Sequence, residues 1–397
     1  MFQEHWQAVL SEKKAQGLYR QLRELQSPQG EHIQVDGRPY LAFCSNDYLG
    51  LANHPDIKKA AVESIQQDGF GSGASHLVIG HHRQHALLEQ ELAAFTGRDR
   101  ALVFSSGYMA NLAVVSTLVG KSDVVLHDRL NHASLLDGGL MSGARFQRYL
   151  HNDVNSLRTY LHKFAQDPKV QKILVVTDGV FSMDGDLARL DEISRLCSEF
   201  DALLMVDDAH GLGVLGEDGR GSVSHFALSQ SEVPVLIGTF GKAFGSSGAF
   251  VAGSKLLIDY LLQTARPYIY TTAMPPSTAA ATRESLKIVS VATQARKHLN
   301  DLLSYFKQEM NVLSEEIGGC SLLPSDTPIQ PIVIGDSFKT LEISQRLSDQ
   351  GILVGAIRPP TVPEQTSRLR VTFSSGHSFA DIDQLINALK TALKDVF

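Results

Sequence analysis

Six short apolar runs leave the middle of the chain few folds to choose from: "RALVFSS" (100–106), "DVVLHD" (123–128), "KILVVTDG" (172–179), "ALLMVDDAHG" (202–211), "VPVLIGTFG" (233–241) and "GAFVAG" (248–253). Their apolar stretches are nearly continuous, so neither face can meet water; strands of that kind belong inside a mostly parallel sheet covered on both sides. Between them lie longer amphipathic patterns such as "RQHALLEQELAAFTG" and "LARLDEISRLCSEFD", which supply the covering helices. The expected fold class is α/β, with a mostly parallel central sheet flanked by helices. Ligands of such sheets bind beyond the carboxyl ends of the strands. In this chain the polar clusters sit at those ends.

A chain of 397 residues can bury one large core and a smaller one. The double proline in "YTTAMPPSTAAATRESL" (270–286) precedes a long helical pattern, after which strand and helix signals shorten. This predicts an N-terminal arm (1–45), a large domain (46–285) and a smaller α+β C-terminal domain (286–397). Residues 1–25 mix charges through an amphipathic helical pattern without a continuous apolar core, which predicts neither signal peptide nor membrane span. A net charge of −7 offers no basic surface to nucleic acid or anionic lipid, so anionic substrates would need local arginines. Cys44, Cys197 and Cys320 are scattered and lack metal-ligand spacing, which suits a reducing cytoplasm.

The strand ends pose a chemical question, because "LIGTFGKAFGSSGAFVAG" (236–253) sets one lysine, Lys242, among glycine, serine and apolar residues. Three readings compete for it. "GLGVLG" (211–216) matches a dinucleotide fingerprint, but "DDAH" separates it from its strand and "EDGRGS" follows where a helix should open. A P-loop fails because Val115 stands where "GKS" (120–122) needs its first glycine, and Ala243 follows Lys242 in place of Ser or Thr. The third reading employs an acid, histidines, hydroxyls and the lysine together. A buried lysine loses its proton readily and can add to an aldehyde. Pyridoxal phosphate needs that lysine and a carboxylate on its ring nitrogen. Asp207, ending "ALLMV", is placed for the second task, with Asp208 as its alternative. His210 is three residues on, within reach of the phenolic oxygen, and His132 is a candidate to lie on the ring's open face. Ser106, Gly107 and Tyr108 in "FSSGYMAN" combine strand, turn and helix start, where backbone N–H groups favour a phosphate. Thr239 adds a hydroxyl. Taken singly, each residue has an ordinary structural reading: a cap for Asp207, a solvated loop position for either histidine.

"SNDYLG" (45–50), "SGYMAN" (106–111), "NHAS" (131–134), "GVFSMDGD" (179–186), "VDDAHG" (206–211) and "TFGKAFG" (239–245), in that order over nearly the whole chain, resemble the α-oxoamine synthases, pyridoxal-phosphate enzymes of aminotransferase fold type I. Within that family "AIRPPTVPEQTSRLRVT" (356–372) is most similar to the members that join L-alanine to a pimeloyl thioester in biotin synthesis. The resemblance implies a decarboxylating condensation that releases carbon dioxide and a free thiol, either coenzyme A or acyl carrier protein, in a cytoplasmic homodimer. It implies that Lys242 carries the cofactor and moves protons, Asp207 pairs with the pyridine nitrogen, His210 and Ser182 lie near the phenolic oxygen, and His132 stacks on the ring. Gly107, Tyr108 and Thr239 would hold the phosphate beside Ser106, with Thr271 or Thr272 of a second subunit. Arg370 would clamp the amino-acid carboxylate; Asn46, Arg20 and Arg358 would lie on the substrate side. Asp178 stands where relatives often carry the longer Glu.

Other features have plainer readings. "HLVIGHHRQH" brings His76, His81, His82 and His85 together without a HExxH signature, and the family implies no metal. "FGSGASH" (70–76) follows a helical pattern, not a strand, and reads as a loop near the mouth of the site. Two alternatives remain: a sister synthase using glycine or serine with another acyl thioester, and a non-catalytic scaffold subunit. Retention of Lys242, Asp207, His210 and His132 together argues against the second.

Overall fold

The computed structural model describes residues 1–397, the side chain of Glu217 excepted. Two strands near the N-terminus, β1 (His32–Val35) and β2 (Arg38–Ala42), form an antiparallel hairpin. Seven more follow: β3 (Arg100–Phe104), β4 (Val124–Asp128), β5 (Arg145–Tyr149), β6 (Ile173–Asp178), β7 (Leu203–Asp207), β8 (Val235–Thr239) and β9 (Ala249–Gly253). They build one sheet in the order β3-β9-β8-β7-β6-β4-β5. From β8 through β5 every pairing is parallel, while β9 runs antiparallel to both neighbours. The mostly parallel sheet expected from the sequence is therefore present.

Strands β4 and β6 are buried at every position, as the apolar runs Val124–Leu126 and Ile173–Val176 require, and each carries polar residues at its carboxyl end. Alternate residues feed two cores: Val125, Val176 and Met205 pack with the helices Gly107–Leu118 and Lys255–Thr264 on one face, and Leu126, Val175 and Val206 with the helices Val154–Ala165 and Leu190–Glu199 on the other. Each such side chain contributes about 1.5–3 kcal/mol. The strand missed in the sequence is β5, "RFQRY", which lies at the sheet edge with most of its residues only partly covered. An edge strand need not be apolar on both faces, so it carries no continuous apolar signal.

The remaining strands are β10 (Ser321–Leu322), β11 (Ile329–Gly335), β12 (Ile352–Leu353), β13 (Gly355–Ile357) and β14 (Ser367–Thr372). An antiparallel sheet runs β10-β11-β14-β13, while β12 adds in parallel to β2 and so ties the N-terminal hairpin to residues far along the chain. The side chains of β14 reach the segment that follows β6 through an Arg368–Asp184 ion pair of 2.5 Å. At the N-terminus the helix covers only Phe2–Ala15, because Gly17 adopts a left-handed φ of 66° and ends the pattern that the sequence carries to residue 25. Among the described residues no helix is long and apolar enough to cross a membrane.

Candidate active site

Parallel strands end on the same edge, so Asp178 of β6, Asp207 of β7 and Thr239 of β8 finish side by side; Asp178 and Asp207 are direct neighbours in register. A cavity of about 200 Å³ opens at this edge. Of the residues expected from the sequence, Gly107, Tyr108, His132, Ser182, Asp207, His210, Thr239 and Lys242 line it, and Asp178 does too.

The two adjacent aspartates divide cleanly. Asp207 faces the cavity, its Oδ2 accepting from Asn111 Nδ2 at 2.6 Å and its Oδ1 from the Ala209 N–H at 3.0 Å. Asp208 turns away and accepts the Ser222 N–H at 2.7 Å. A Cβ at Gly211 or Gly221 would collide with its carboxyl group, so these glycines of the apparent dinucleotide motif and its neighbourhood make room for a buried acid. Burial raises Asp208 to about 7. Asp178 is held well above the ordinary carboxylate range, by burial first and by the adjacent Asp207 second. Its Oδ2 accepts the His132 N–H at 2.9 Å, so the shorter side chain anchors the backbone of His132, which caps the helix Ala133–Ser142.

Burial lowers the Lys242 amine from 10.5 to about 8, against the opposing pull of Asp207 and Asp178 and with help from Arg370. His210 is pushed well below its ordinary value by burial and then by the Lys242 and Arg370 charges, and its Nδ1 lies 2.6 Å from the Tyr48 hydroxyl. Across the cavity, Gly107 opens its helix opposite Thr239, which donates to the Gly248 carbonyl at 3.0 Å. Ser106 is not in the lining; its hydroxyl is the helix cap, accepting the Met109 N–H at 3.2 Å. The Tyr108 hydroxyl donates to Asp137.

Arg370 is buried beside the cavity, its Nε donating to the Ser182 carbonyl at 2.6 Å and its Nη1 to Asn46 Oδ1 at 3.1 Å. A second space of about 450 Å³ begins at Lys242 and Asn46 and runs to the N-terminal hairpin, where Leu25, Ile33 and Val35 give it apolar walls. Arg23 also lines it and has no acidic partner among the described side chains. Besides Ser106 and Arg370, which lie next to the cavity without lining it, four expected residues are not brought to either space. Arg20 is exposed; Arg358 donates to the Gly17 carbonyl; Thr271 is half-buried; and exposed Thr272 bridges Ser75. The loop 70–76 packs on that last segment, with Ser72 Oγ donating to the Met274 carbonyl at 2.5 Å, and does not line the cavity.

Asn111, Ser134, Tyr48 and Arg23 were not singled out in the sequence. The first three stand inside the quoted "SGYMAN", "NHAS" and "SNDYLG". Asn111 had a local signal, an amide in the apolar helix "YMANLAVV", since a buried amide requires partners; it donates to Ser134 Oγ at 2.9 Å as well as to Asp207. Arg23 had none. In the histidine cluster, ligand atoms of His76, His81 and His85 come within 4.8 Å of one another. Both nitrogens of His85 are spent on backbone, accepting the His82 N–H at 2.9 Å and donating to the Met274 carbonyl at 2.8 Å.

The sequence profile of the family described as aminotransferase class I and II matches residues 38–389. The 8-amino-7-oxononanoate synthase of Cellvibrio japonicus is 57% identical over 382 residues, 96% of this chain and 94% of that protein. The enzyme of the same name from Nitrosococcus oceani is 54% identical over 384 residues, 97% of this chain and 100% of that protein. Among solved structures, 8-amino-7-oxononanoate synthase from Francisella tularensis superposes with a TM-score of 0.77 at 31% identity, covering 90% of this chain and 98% of its own. Serine palmitoyltransferase from S. paucimobilis, solved with a bound PLP–myriocin aldimine, gives a TM-score of 0.91 at 29% identity, covering 99% and 97%.

Proposed function

The chain belongs to the aminotransferase class I and II family, and from that premise we propose that it condenses L-alanine with a pimeloyl thioester, with loss of carbon dioxide, to give 8-amino-7-oxononanoate and a free thiol. The observation that carries this reading is the meeting, on one cavity, of a lysine amine lowered to about 8 with the Asp207 carboxylate. The donor set fits pyridoxal phosphate. Lys242 would hold its aldehyde carbon and Asp207 its ring nitrogen. The N–H groups at Gly107 and Tyr108 would hold the phosphate, with the Thr239 hydroxyl turned to it from the Gly248 carbonyl. His132 would lie on its face, with His210 and Ser182 at its phenolic oxygen.

When bound, this cofactor supplies an aldehyde that captures amines and a ring that draws electrons from the carbon next to the captured nitrogen. The protein supplies orientation and proton movement. Arg370, its Nε and Nη1 already fixed by Ser182 and Asn46, presents its remaining N–H groups to the alanine carboxylate; a planar fork suits that task better than an ammonium. Holding the carboxylate fixes which alanine bond stands ready to break. The Lys242 amine, half in its free-base form at about pH 8, takes the proton from alanine Cα and returns one after carbon dioxide has left. The space leading from Lys242 to the apolar wall of Leu25, Ile33 and Val35 suits the methylene chain of the acyl donor, and Arg23 suits its far carboxylate. The direct test supplies the loaded protein with L-alanine and pimeloyl-coenzyme A or pimeloyl-acyl carrier protein. Mass spectrometry should find 8-amino-7-oxononanoate from at least one donor; faster turnover of glycine with acetyl- or succinyl-coenzyme A would favour the sister activity.

The site is read here as shared between two copies in a cytoplasmic homodimer. Thr271 and Thr272 lie off their own cavity beside exposed Tyr270, a placement that supports a role toward a partner's phosphate site. A Lys242→Ala chain mixed and refolded with a Thr271→Ala/Thr272→Ala chain should then recover about one intact site per heterodimer. Absence of recovered turnover, with heterodimer demonstrated by differential tagging, would count against shared sites.

A further inference from the structure

One histidine near the site has no part in that chemistry. His151 follows β5, is 24% exposed, and presents both ring nitrogens to carboxylates: Nδ1 lies 2.9 Å from Asp128 Oδ1 at the end of β4, and Nε2 3.1 Å from Asp186 Oδ2. An imidazolium can donate to both at once, whereas a neutral ring donates to only one. Asn152 repeats the bridge. Its backbone N–H donates to Asp128 Oδ2 at 2.7 Å, and its side-chain amide to Asp186 Oδ2 at 3.0 Å and the Leu187 carbonyl at 2.8 Å.

The tethered segment reaches into the site. It includes Phe181, edge-on to the His151 ring at 4.4 Å, and then Ser182, whose carbonyl accepts Arg370 Nε at 2.6 Å. From the opposite side the segment is gripped by Arg368 on Asp184 and by the Ser325 and Thr327 hydroxyls, each 2.9 Å from the Gly185 carbonyl. Release at either side would let the Ser182 carbonyl, and Arg370 with it, drift.

We propose that His151 is a positioning residue for amino-acid binding: by bridging Asp128 to Asp186 it holds residues 181–186 so that the Ser182 carbonyl aims the Arg370 guanidinium, on the reading that Arg370 holds the alanine carboxylate. Burial alone would lower this imidazole, but hydrogen bonds and charge from Asp128 and Asp186 outweigh it and keep the ring cationic up to about pH 10. The groups around it are Asp128 from β4 with Tyr149 of β5 nearby, and Asp186 and Asp184 from the segment, Asp184 being paired with Arg368 of β14. Because the folded value exceeds the unfolded one of about 6.5, the stabilisation is complete below about pH 6.5 and is lost as pH climbs through about 10.

The test uses cofactor-loaded His151→Gln, with L-alanine binding followed by the visible spectrum and thermal stability followed against pH. Cofactor should still attach to Lys242, and the L-alanine dissociation constant should rise about tenfold or more, since a small misplacement of a clamp is costly. The gap in Tm from the unsubstituted protein should be widest at and below about pH 6.5 and narrow as pH climbs through about 10. Adding Asp128→Asn sets an amide NH₂ against the Leu130 or the Asn152 N–H and does not rebuild the bridge, so Tm should stay low and alanine affinity weak. Unchanged alanine affinity in His151→Gln, or its recovery in the double variant, overturns the proposal. Should His151→Gln not fold, Asp186→Ala carries the same expectation. Arg370→Lys runs alongside: if it binds alanine normally, the carboxylate reading and this proposal fall together, whereas weakened Arg370→Lys beside normal His151→Gln overturns the positioning role alone.

Discussion

Lys242→Ala is expected to fold normally and to lose turnover by roughly 10⁴-fold, because one side chain serves as both the attachment point and the proton carrier. Nothing else lining the cavity replaces it: His132 is lowered by burial and is held at its Nδ1 by Ser134, and His210 is pushed well below its ordinary value. Borohydride reduction of the loaded, unsubstituted protein should leave the covalent label on Lys242. A label on Lys121 or Lys255 instead would refute the assignment. The amine itself can be read without cofactor by competitive acylation across a pH series. Lys242 should half-titrate near 8, well below the ordinary lysine value of 10.5. Asp207→Asn should move the Lys242 value lower still, since Asp207 holds it up against burial.

The large sheet was legible because its central strands are buried on both faces, and a doubly buried strand is written mainly in apolar residues, with polar ones at its carboxyl end. β5 escaped for the complementary reason, an edge position that tolerates Arg, Gln and Arg in five residues. The cavity side chains were legible where they end strands or open helices, as Asp207, Thr239 and Gly107 do. The choice between Asp207 and Asp208 was not, since it depends on which way the chain turns after β7. That turn is shaped by Gly211 and Gly221 closing over Asp208, the second of them thirteen positions along the chain. Arg23 was illegible for a similar reason: only the pairing of Leu25 with Val35 and of β12 with β2 folds it over the second cavity. Such contacts belong to the tertiary fold, and no local pattern encodes them.

Asp207→Asn separates the electrostatic contribution from the amine chemistry of Lys242. The amide keeps the shape of the carboxyl group and can still hydrogen-bond, but it cannot carry a negative charge opposite a protonated ring nitrogen. Cofactor should still attach to Lys242. Exchange of the alanine Cα hydrogen for deuterium, measured without acyl donor, should fall by roughly 10²–10³, the loss of about 2.7–4 kcal/mol that follows removal of a preorganised electrostatic partner. Asn111 sharpens the contrast. Its amide donates to Asp207 Oδ2 at 2.6 Å, so Asp207→Asn either sets its NH₂ against the Ala209 N–H or makes Asn111 flip its amide, whose Oδ1 has no partner. Asn111→Ala should therefore slow exchange by less than Asp207→Asn, because the charge remains and only its orientation loosens. Asp208→Asn should cost stability and leave exchange near the unsubstituted rate, since that carboxyl faces Ser222 and not the cavity. Normal exchange in Asp207→Asn with slow exchange in Asp208→Asn would mean that the roles are reversed. Normal exchange in both would mean that a carboxylate charge at the end of β7 is not what drives proton removal.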